Sequence, residues 1–339
     1  MSWRWKIAGL LLFGLLCWEL IVRFFVLSPA QEVFEPGLGY VHAPYANILR
    51  TYEGYARFQL DQFGLNNDAL PDVLPNKRVF VVGDSFVEAY QVMRGENFVG
   101  RLAEIWQNSL LFNAGSSGAA PDTSLLAYNM LAPFVQPTHV LLCVNASDLY
   151  ELLAAKEERH ADGSLKALLR QADASASQFK AIKLWLYGHS ALITHLKWKY
   201  ENDIRAWLTG FDEKKDVRKK HELVGTGLQK AMERWQFVLQ KFQKSGVKLT
   251  VLIMPELHYL PNKQVQQKVR QGRVVLANEA VKLGVPVLDS NAVFAQDFEQ
   301  SGQPAIGFSN THYGKGHINA YGHKLLAIWL DSQRYMVLR

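Results

Sequence analysis

Several short polar segments place reactive side chains where the chain is expected to turn. Gly83-Asp-Ser85 closes the apolar run Arg78–Val82, so Ser85 falls where a strand ends and a helix can begin. A hydroxyl there sits beside the unpaired N–H groups of a helix start, an arrangement that suits a nucleophile whose oxyanion needs donors. The same place suits an ordinary helix N-cap, and Gly-Asp-Ser alone does not separate the two. Serine is a weak nucleophile at its own pKa and needs a base within reach. His317, in Gly316-His-Ile-Asn-Ala-Tyr-Gly-His323, titrates near neutrality and can take that proton and return it to a leaving group. Asn113-Ala-Gly-Ser-Ser-Gly118 and Asn145-Ala-Ser-Asp148 follow two further apolar runs.

In this order the segments resemble the blocks of the SGNH (GDSL-like) hydrolase and acyltransferase family, in its membrane-anchored bacterial form. Gly83-Asp-Ser-Phe86 is similar to the first block and Asn113–Gly118 to the second, with the oxyanion glycine at Gly118. The last block, with its catalytic histidine at His317, is similar to Gly316–His323. The resemblance implies acyl-ester chemistry with Ser85 as nucleophile and His317 as base, the oxyanion being held by the N–H groups of Ser85 and Gly118. Asp84 is expected to brace the turn, and Asp148 and Asn319 to support the site.

Two positions depart from that pattern. The third block of the family reads Gly-x-Asn-Asp, whereas here Ser147 stands at the asparagine, with Asn145 as an alternative oxyanion donor if the loop bends. Losing one such donor costs on the order of 3 kcal/mol, about a hundredfold in rate. The family acid lies two or three residues before the histidine, where this chain has Lys315 and Gly314, and no carboxylate lies between Gln300 and His317. A Ser–His dyad follows, with His317 oriented by a backbone carbonyl or by a carboxylate from elsewhere, such as Asp289 or Glu88.

Positioning these residues requires a scaffold of strands that each end at one of the segments. Arg78–Val82, Ser109–Phe112, Thr138–Val144, Lys248–Met254 and Val285–Leu288 are short and almost uniformly apolar, which a sheet buried on both faces requires. Helical spacing at Asn97–Trp106, Ser124–Leu131 and Arg234–Phe242 alternates with them. The pattern predicts a flavodoxin-like, doubly wound α/β fold with five parallel strands and a ligand crevice at their C-terminal ends. Residues 28–77 carry recurrent Gly, Pro and Asn and read as an irregular or β-rich lead-in, with the α/β domain over 78–335. Between Asp148 and Lys248 about one hundred residues show no convincing strand, far more than a crossover needs. They read as a helical insertion (about 150–235) over the crevice. Its aromatics Trp185, Tyr187, Trp198, Tyr200 and Trp207 are expected to pack a core.

Composition bounds the remaining readings. The 339 residues carry a formal net charge of +6, and the densest basic run, Glu213–His221, suits a solvated helix face. Basic residues do not interleave with aromatics as nucleic-acid binding would require, and Gly83 belongs to no nucleotide-binding glycine pattern. Two cysteines, Cys17 and Cys143, make neither a plausible disulfide nor a zinc site. His312, His317 and His323 lack ligand spacing, so no metal and no cofactor is expected, and His323 reads as packing the final helix. Arg4 and Lys6 precede an apolar segment over 7–27, long enough to span a bilayer core of roughly 30 Å and read as a signal anchor, with a signal peptide cleaved near Ser28-Pro-Ala30 as the other reading. Glu19 and Arg23 stand four apart within it and can pair. The positive flank orients residues 1–6 to the cytoplasm and the rest to the outer or periplasmic face of the cytoplasmic membrane. The expected activity is ester hydrolysis or O-acyl transfer on an envelope carbohydrate, the acyl group being acetyl, with a membrane acyltransferase as a partner. The other reading is a catalytically degenerate glycan-binding or assembly factor.

Overall fold

The computed structural model describes residues 3–29, 32–35, 39–154, 158–159, 165–166, 178–200, 225–256 and 263–338. The run 213–221 and Trp207 lie outside them, as does the side chain of Trp198.

Five strands form one parallel sheet: β5 (Lys77–Gly83), β6 (Ser109–Gly115), β7 (His139–Val144), β10 (Lys248–Ile253) and β11 (Val287–Asp289). Their spatial order is β11-β10-β7-β5-β6, so the sheet grows outward in both directions from β5 and β7. This is the doubly wound order expected from the strand pattern, and its switch point lies between β5 and β7. Val79, Phe80, Val81 and Val82 are each 0 % exposed, which is why the run is apolar at every position rather than at alternate ones.

Helices cover both faces. On one, Phe80, Leu142, Val251 and Ile253 pack with residues of α4 (Pro121–Val135), α5 (Ala146–Ala154), α8 (Gly225–Lys244) and α9 (Lys263–Lys282). Trp235 is buried at the centre of α8 and donates from its indole to the Leu276 carbonyl, 3.0 Å away. On the other, Val79, Val81, Leu141 and Leu252 meet α2 (Ser85–Glu88), α3 (Phe98–Ile105), α11 (Ala320–Ser332) and α12 (Arg334–Leu338). α10 (Asn291–Ser301) follows β11 directly. Helix α8 begins nine residues before the expected Arg234 and packs against the sheet, so the C-terminal part of the proposed insertion is a crossover helix.

The lead-in segment is ordered as two antiparallel hairpins, β1–β2 (Glu32–Glu35, Gly39–His42) and β3–β4 (Asn47–Arg50, Ala56–Gln59). Within the insertion, a two-residue pair of strands, β8 (Glu158–Arg159) and β9 (Leu165–Lys166), precedes α6 (Gln178–His189) and α7 (Ala191–Lys199). Helix α7 packs on the N-terminal helix α1 (Trp3–Phe25), where Ala191 joins Val22 and Leu27. The expected role of the aromatics needs correcting, because Trp185 and Tyr200 are 58 % and 55 % exposed and fill no core. Helix α1 has 23 residues, and an 18-residue stretch of it has a mean hydropathy of 2.0, long and apolar enough to cross a membrane.

Candidate active site

Ser85 is the first residue of α2, directly after β5. Asp84 is the N-cap, its Oδ1 accepting from Phe86 N at 2.9 Å, so the cap belongs to Asp84 and the Ser85 hydroxyl is left for another partner. Glycine is required on both sides of this turn. A Cβ on Gly83 would lie 2.8 Å from the Cys143 carbonyl, and one on Gly115 would lie 2.2 Å from Glu88 N. Asn113 anchors the far end of α2 by donating to the Val87 carbonyl at 2.7 Å.

His317 reaches the same rim from a loop ahead of α11. Isolated bridging between Ile306 and Ile318, with Gly307 N donating to the His317 carbonyl at 2.8 Å, fixes the backbone. Asn319 caps α11 through Gly322 N and donates to the Pro304 and Gly307 carbonyls, tying the loop from below. The result places His317 Nε2 2.9 Å from Ser85 Oγ, although 232 positions separate them in the chain.

The other ring nitrogen has a carboxylate partner that the sequence did not disclose. His317 Nδ1 lies 2.7 Å from Glu53 Oε2, and the His317 backbone N–H donates to Glu53 Oε1 at 2.7 Å. Glu53 sits in the β3–β4 turn. Neither carboxylate named as a candidate orienter serves: Asp289 pairs with Arg273 and caps Asn291, and Glu88 accepts from Ser117. The dyad is therefore corrected to a Glu53–His317–Ser85 array. With Nδ1–H donated to Glu53, Nε2 is the unprotonated nitrogen facing the hydroxyl.

The local sequence makes room for this carboxylate. Gly316 has φ +85°, and a Cβ there would stand 2.0 Å from Glu53 Oε1. A side chain near the usual acid position would thus expel the acid that replaces it. Asn310 clamps the turn from the same loop, accepting from Gly54 N at 2.9 Å and donating to the carbonyls of Thr51 and Gly54. The signals in the sequence were Glu53-Gly54 between two short alternating runs and the small residues flanking Lys315, too common to be informative alone.

Electrostatics follow from these contacts. Burial alone would disfavour the imidazolium of His317, but the Glu53 carboxylate, with Asp84 and Glu88 beyond it, outweighs burial and raises its pKa above 6.5. Burial likewise opposes charge on Glu53, and the His317 contacts overcome it and lower the carboxyl below 4.5. Loss of solvent raises Asp84, Glu88 and Asp148.

The third segment takes a different form from the one expected. Asn145 caps α5 by accepting from Ser147 N at 2.9 Å, while Asp148 Oδ2 accepts from Asn145 N at 2.9 Å. Asn145-Ala-Ser-Asp148 is thus a variant of the capping box, with the Asn145 side chain on the second rather than the third helical N–H. Ser147 donates its hydroxyl to Asn145 Oδ1 within that box, which corrects its expected use as an oxyanion donor. Asn145 Nδ2 crosses the switch point to Asp84 Oδ2 at 2.8 Å and keeps a second amide hydrogen. Gly118 follows β6 with φ +71°, and among the described residues its N–H and that of Ser85 take no partner. His323 is buried, stacked on Phe98 and held to a pKa of about 3 by burial; His312 is exposed.

No protein-family model and no curated protein sequence matches the chain. Solved structures similar to it include a psychrotrophic esterase from Pseudoalteromonas sp., at 13 % identity, covering 77 % of this chain and 99 % of that one, with a TM-score of 0.39. A member of the lipolytic G-D-S-L family from Veillonella parvula is 14 % identical, with coverages of 76 % and 97 % and a TM-score of 0.42. A catalytic mutant of an acetylxylan esterase from Geobacillus stearothermophilus is 13 % identical, with coverages of 79 % and 98 % and a TM-score of 0.44.

Proposed function

We propose that this protein is a serine-dependent ester hydrolase or O-acyltransferase of the SGNH type, working through a Glu53–His317–Ser85 triad. The observation that carries the reading is the pair of contacts on His317, 2.9 Å to Ser85 Oγ and 2.7 Å to Glu53 Oε2. As Ser85 Oγ attacks the acyl carbonyl, His317 Nε2 takes its proton, and Glu53 stabilises the imidazolium that results. The oxyanion is met by the N–H groups of Ser85 and Gly118, with the free amide hydrogen of Asn145 as a third donor. Collapse of the tetrahedral intermediate breaks the bond to the leaving alkoxide, which receives the proton from His317, and leaves an acyl-Ser85 ester. Water or a carbohydrate hydroxyl then attacks that ester, giving its proton to His317; collapse of the second tetrahedral intermediate breaks the acyl bond to Ser85 Oγ, which takes that proton back from His317 as the acid or the new ester leaves.

The substrate class is an acyl ester, acetyl in the first instance, on an envelope carbohydrate. Helix α1 anchors the chain in the cytoplasmic membrane with the α/β domain outside. In the transfer version, a membrane acyltransferase supplies the acyl group. The alternative of a binding or assembly factor drew its weight from a missing acid and a missing oxyanion asparagine; Glu53 at hydrogen-bond distance from His317 speaks against the first ground, and the amide of Asn145 is the proposed answer to the second.

Treatment of the full chain with a fluorophosphonate probe tests the proposal. Labelling and p-nitrophenyl acetate turnover that both vanish in Ser85→Ala are the expected result. An unlabelled wild-type protein without ester turnover refutes it.

A further inference from the structure

Helix α7 begins on the flank of α1, and the way its first turn is satisfied is unusual for a solvent-exposed hairpin. Glu19, from within the apolar helix, accepts from Ala191 N and Leu192 N at 2.9 Å and from Ser190 Oγ at 2.8 Å. Ser190 Oγ accepts from Ile193 N, Ser190 N bonds the Leu186 carbonyl, and Arg23, paired with Glu19 at 2.7 Å, covers the His189 carbonyl. The N–H groups that open α7 and the carbonyls of Leu186 and His189 thus meet protein partners, as polar groups of a segment in a water-poor setting must.

Its depth follows from helix geometry. Glu19 lies six residues before the end of α1 at Phe25, about 9 Å along the axis at 1.5 Å per residue. If α1 spans the bilayer from Ile7 onward, a hydrocarbon core of roughly twenty residues ends near Val26, beyond Glu19. The α6–α7 turn then meets α1 below the outer edge of that core.

The outward faces of the two helices agree with this. Ile182 and Trp185 on α6, and Leu196 and Tyr200 at the end of α7, are each between 55 % and 58 % exposed. Residues 178–200 hold four lysines and no carboxylate. Large apolar and aromatic groups on these outward faces form a surface suited to the membrane interface.

We infer that α6 and α7 form an interfacial hairpin seated in the outer leaflet beside α1, resting on the reading of α1 as the membrane span. The occupant of their apolar face is the bilayer. The hairpin also reaches the triad, since His195 of α7 stacks on Tyr52 with ring centroids 5.7 Å apart, next to Glu53. Thr51 Oγ1 in the same turn donates to the Val26 carbonyl at 2.8 Å. The site is therefore held at the membrane surface, and the ester it takes is one presented there.

The test uses the full chain with Cys17→Ser, in vesicles with about 30 % anionic lipid. An environment-sensitive fluorophore is attached at Trp185→Cys or Leu196→Cys. Val73→Cys, where the native residue is 84 % exposed, serves as the aqueous reference, and Leu12→Cys as the reference within α1. Lipid-borne bromine is expected to quench the labels at 185 and 196 by about threefold or more over that at 73. Labels at 185 and 196 that behave like the one at 73, while position 12 is quenched, overturn the hairpin proposal alone. Failure of quenching at position 12 overturns the membrane span and the hairpin with it, and leaves the triad untouched.

Discussion

Replacing Glu53 by glutamine is the sharpest perturbation of the proposed triad, because it changes one heavy atom and one charge. In the native array Oε1 accepts the His317 backbone N–H and Oε2 accepts Nδ1–H. A glutamine that keeps its carbonyl on the backbone N–H must turn its NH₂ group toward Nδ1. Nδ1 then has to accept rather than donate, the ring proton moves to Nε2, and the nitrogen facing Ser85 loses its lone pair. The wrong tautomer at a comparable triad lowers kcat by about 10⁴, so a loss of about 10³–10⁴-fold is expected, or about 4–5.5 kcal/mol of transition-state stabilisation.

The assay is p-nitrophenyl acetate hydrolysis across pH, read beside the rate of fluorophosphonate labelling. In the wild type, His317 must be neutral to accept the serine proton, so kcat/KM rises with pH through a midpoint above 6.5. Without the Glu53 charge, burial acts with less opposition, and the residual activity of the glutamine variant should rise at lower pH. Activity within threefold of wild type, or an unmoved limb, refutes the assignment of Glu53 as the orienting acid.

Further outcomes follow from neighbouring contacts. Gly316→Ala, which puts a Cβ 2.0 Å from Glu53 Oε1 at a φ of +85°, should depress kcat nearly as far as Glu53→Ala while the far-ultraviolet circular dichroism stays native. Asn145→Ala should cost about tenfold to a hundredfold in kcat by removing an oxyanion donor, whereas Ser147→Ala, which loses a hydroxyl turned back into the capping box, should stay within about threefold. Asp148 has its pKa raised well above 3.8 by burial and the nearby Asp84, so folding holds its proton too tightly and stability falls as pH rises through that raised value. Asp148→Asn should raise Tm at neutral pH and flatten its pH dependence in thermal unfolding.

The sheet was legible because burial on both faces leaves an unmistakable mark. Val79–Val82 and Val140–Val144 are apolar at every position, and the strands they predict differ from those observed by a residue or two at their ends. Val287–Asp289 was harder: with three residues, its start was placed two positions early at Val285, which lies in the link that leads into the strand. Ser85 and His317 were legible because each sits at the end of, or just outside, a regular element, where glycines punctuate the chain, and the structure sets them 2.9 Å apart. Ser147 was misassigned because a one-dimensional alignment cannot distinguish a hydroxyl directed outward from one that closes a helix cap.

Glu53 was illegible for a different reason. The acid of the array comes from a hairpin outside the α/β domain, and no spacing rule links it to His317 across 264 positions. What binds the two is tertiary: Asn310 grips both sides of the Glu53 turn, and Gly316 withholds the one Cβ that would collide with the carboxylate. Residue 78, the expected start of the domain, therefore bounds the sheet and not the site. A chain beginning there would keep every strand of the parallel sheet, the Ser85 turn and the His317 loop, yet leave the imidazole without its carboxylate. Thr51 in the same turn donates to the Val26 carbonyl just past α1, so the turn that carries Glu53 is also tied to the N-terminal helix.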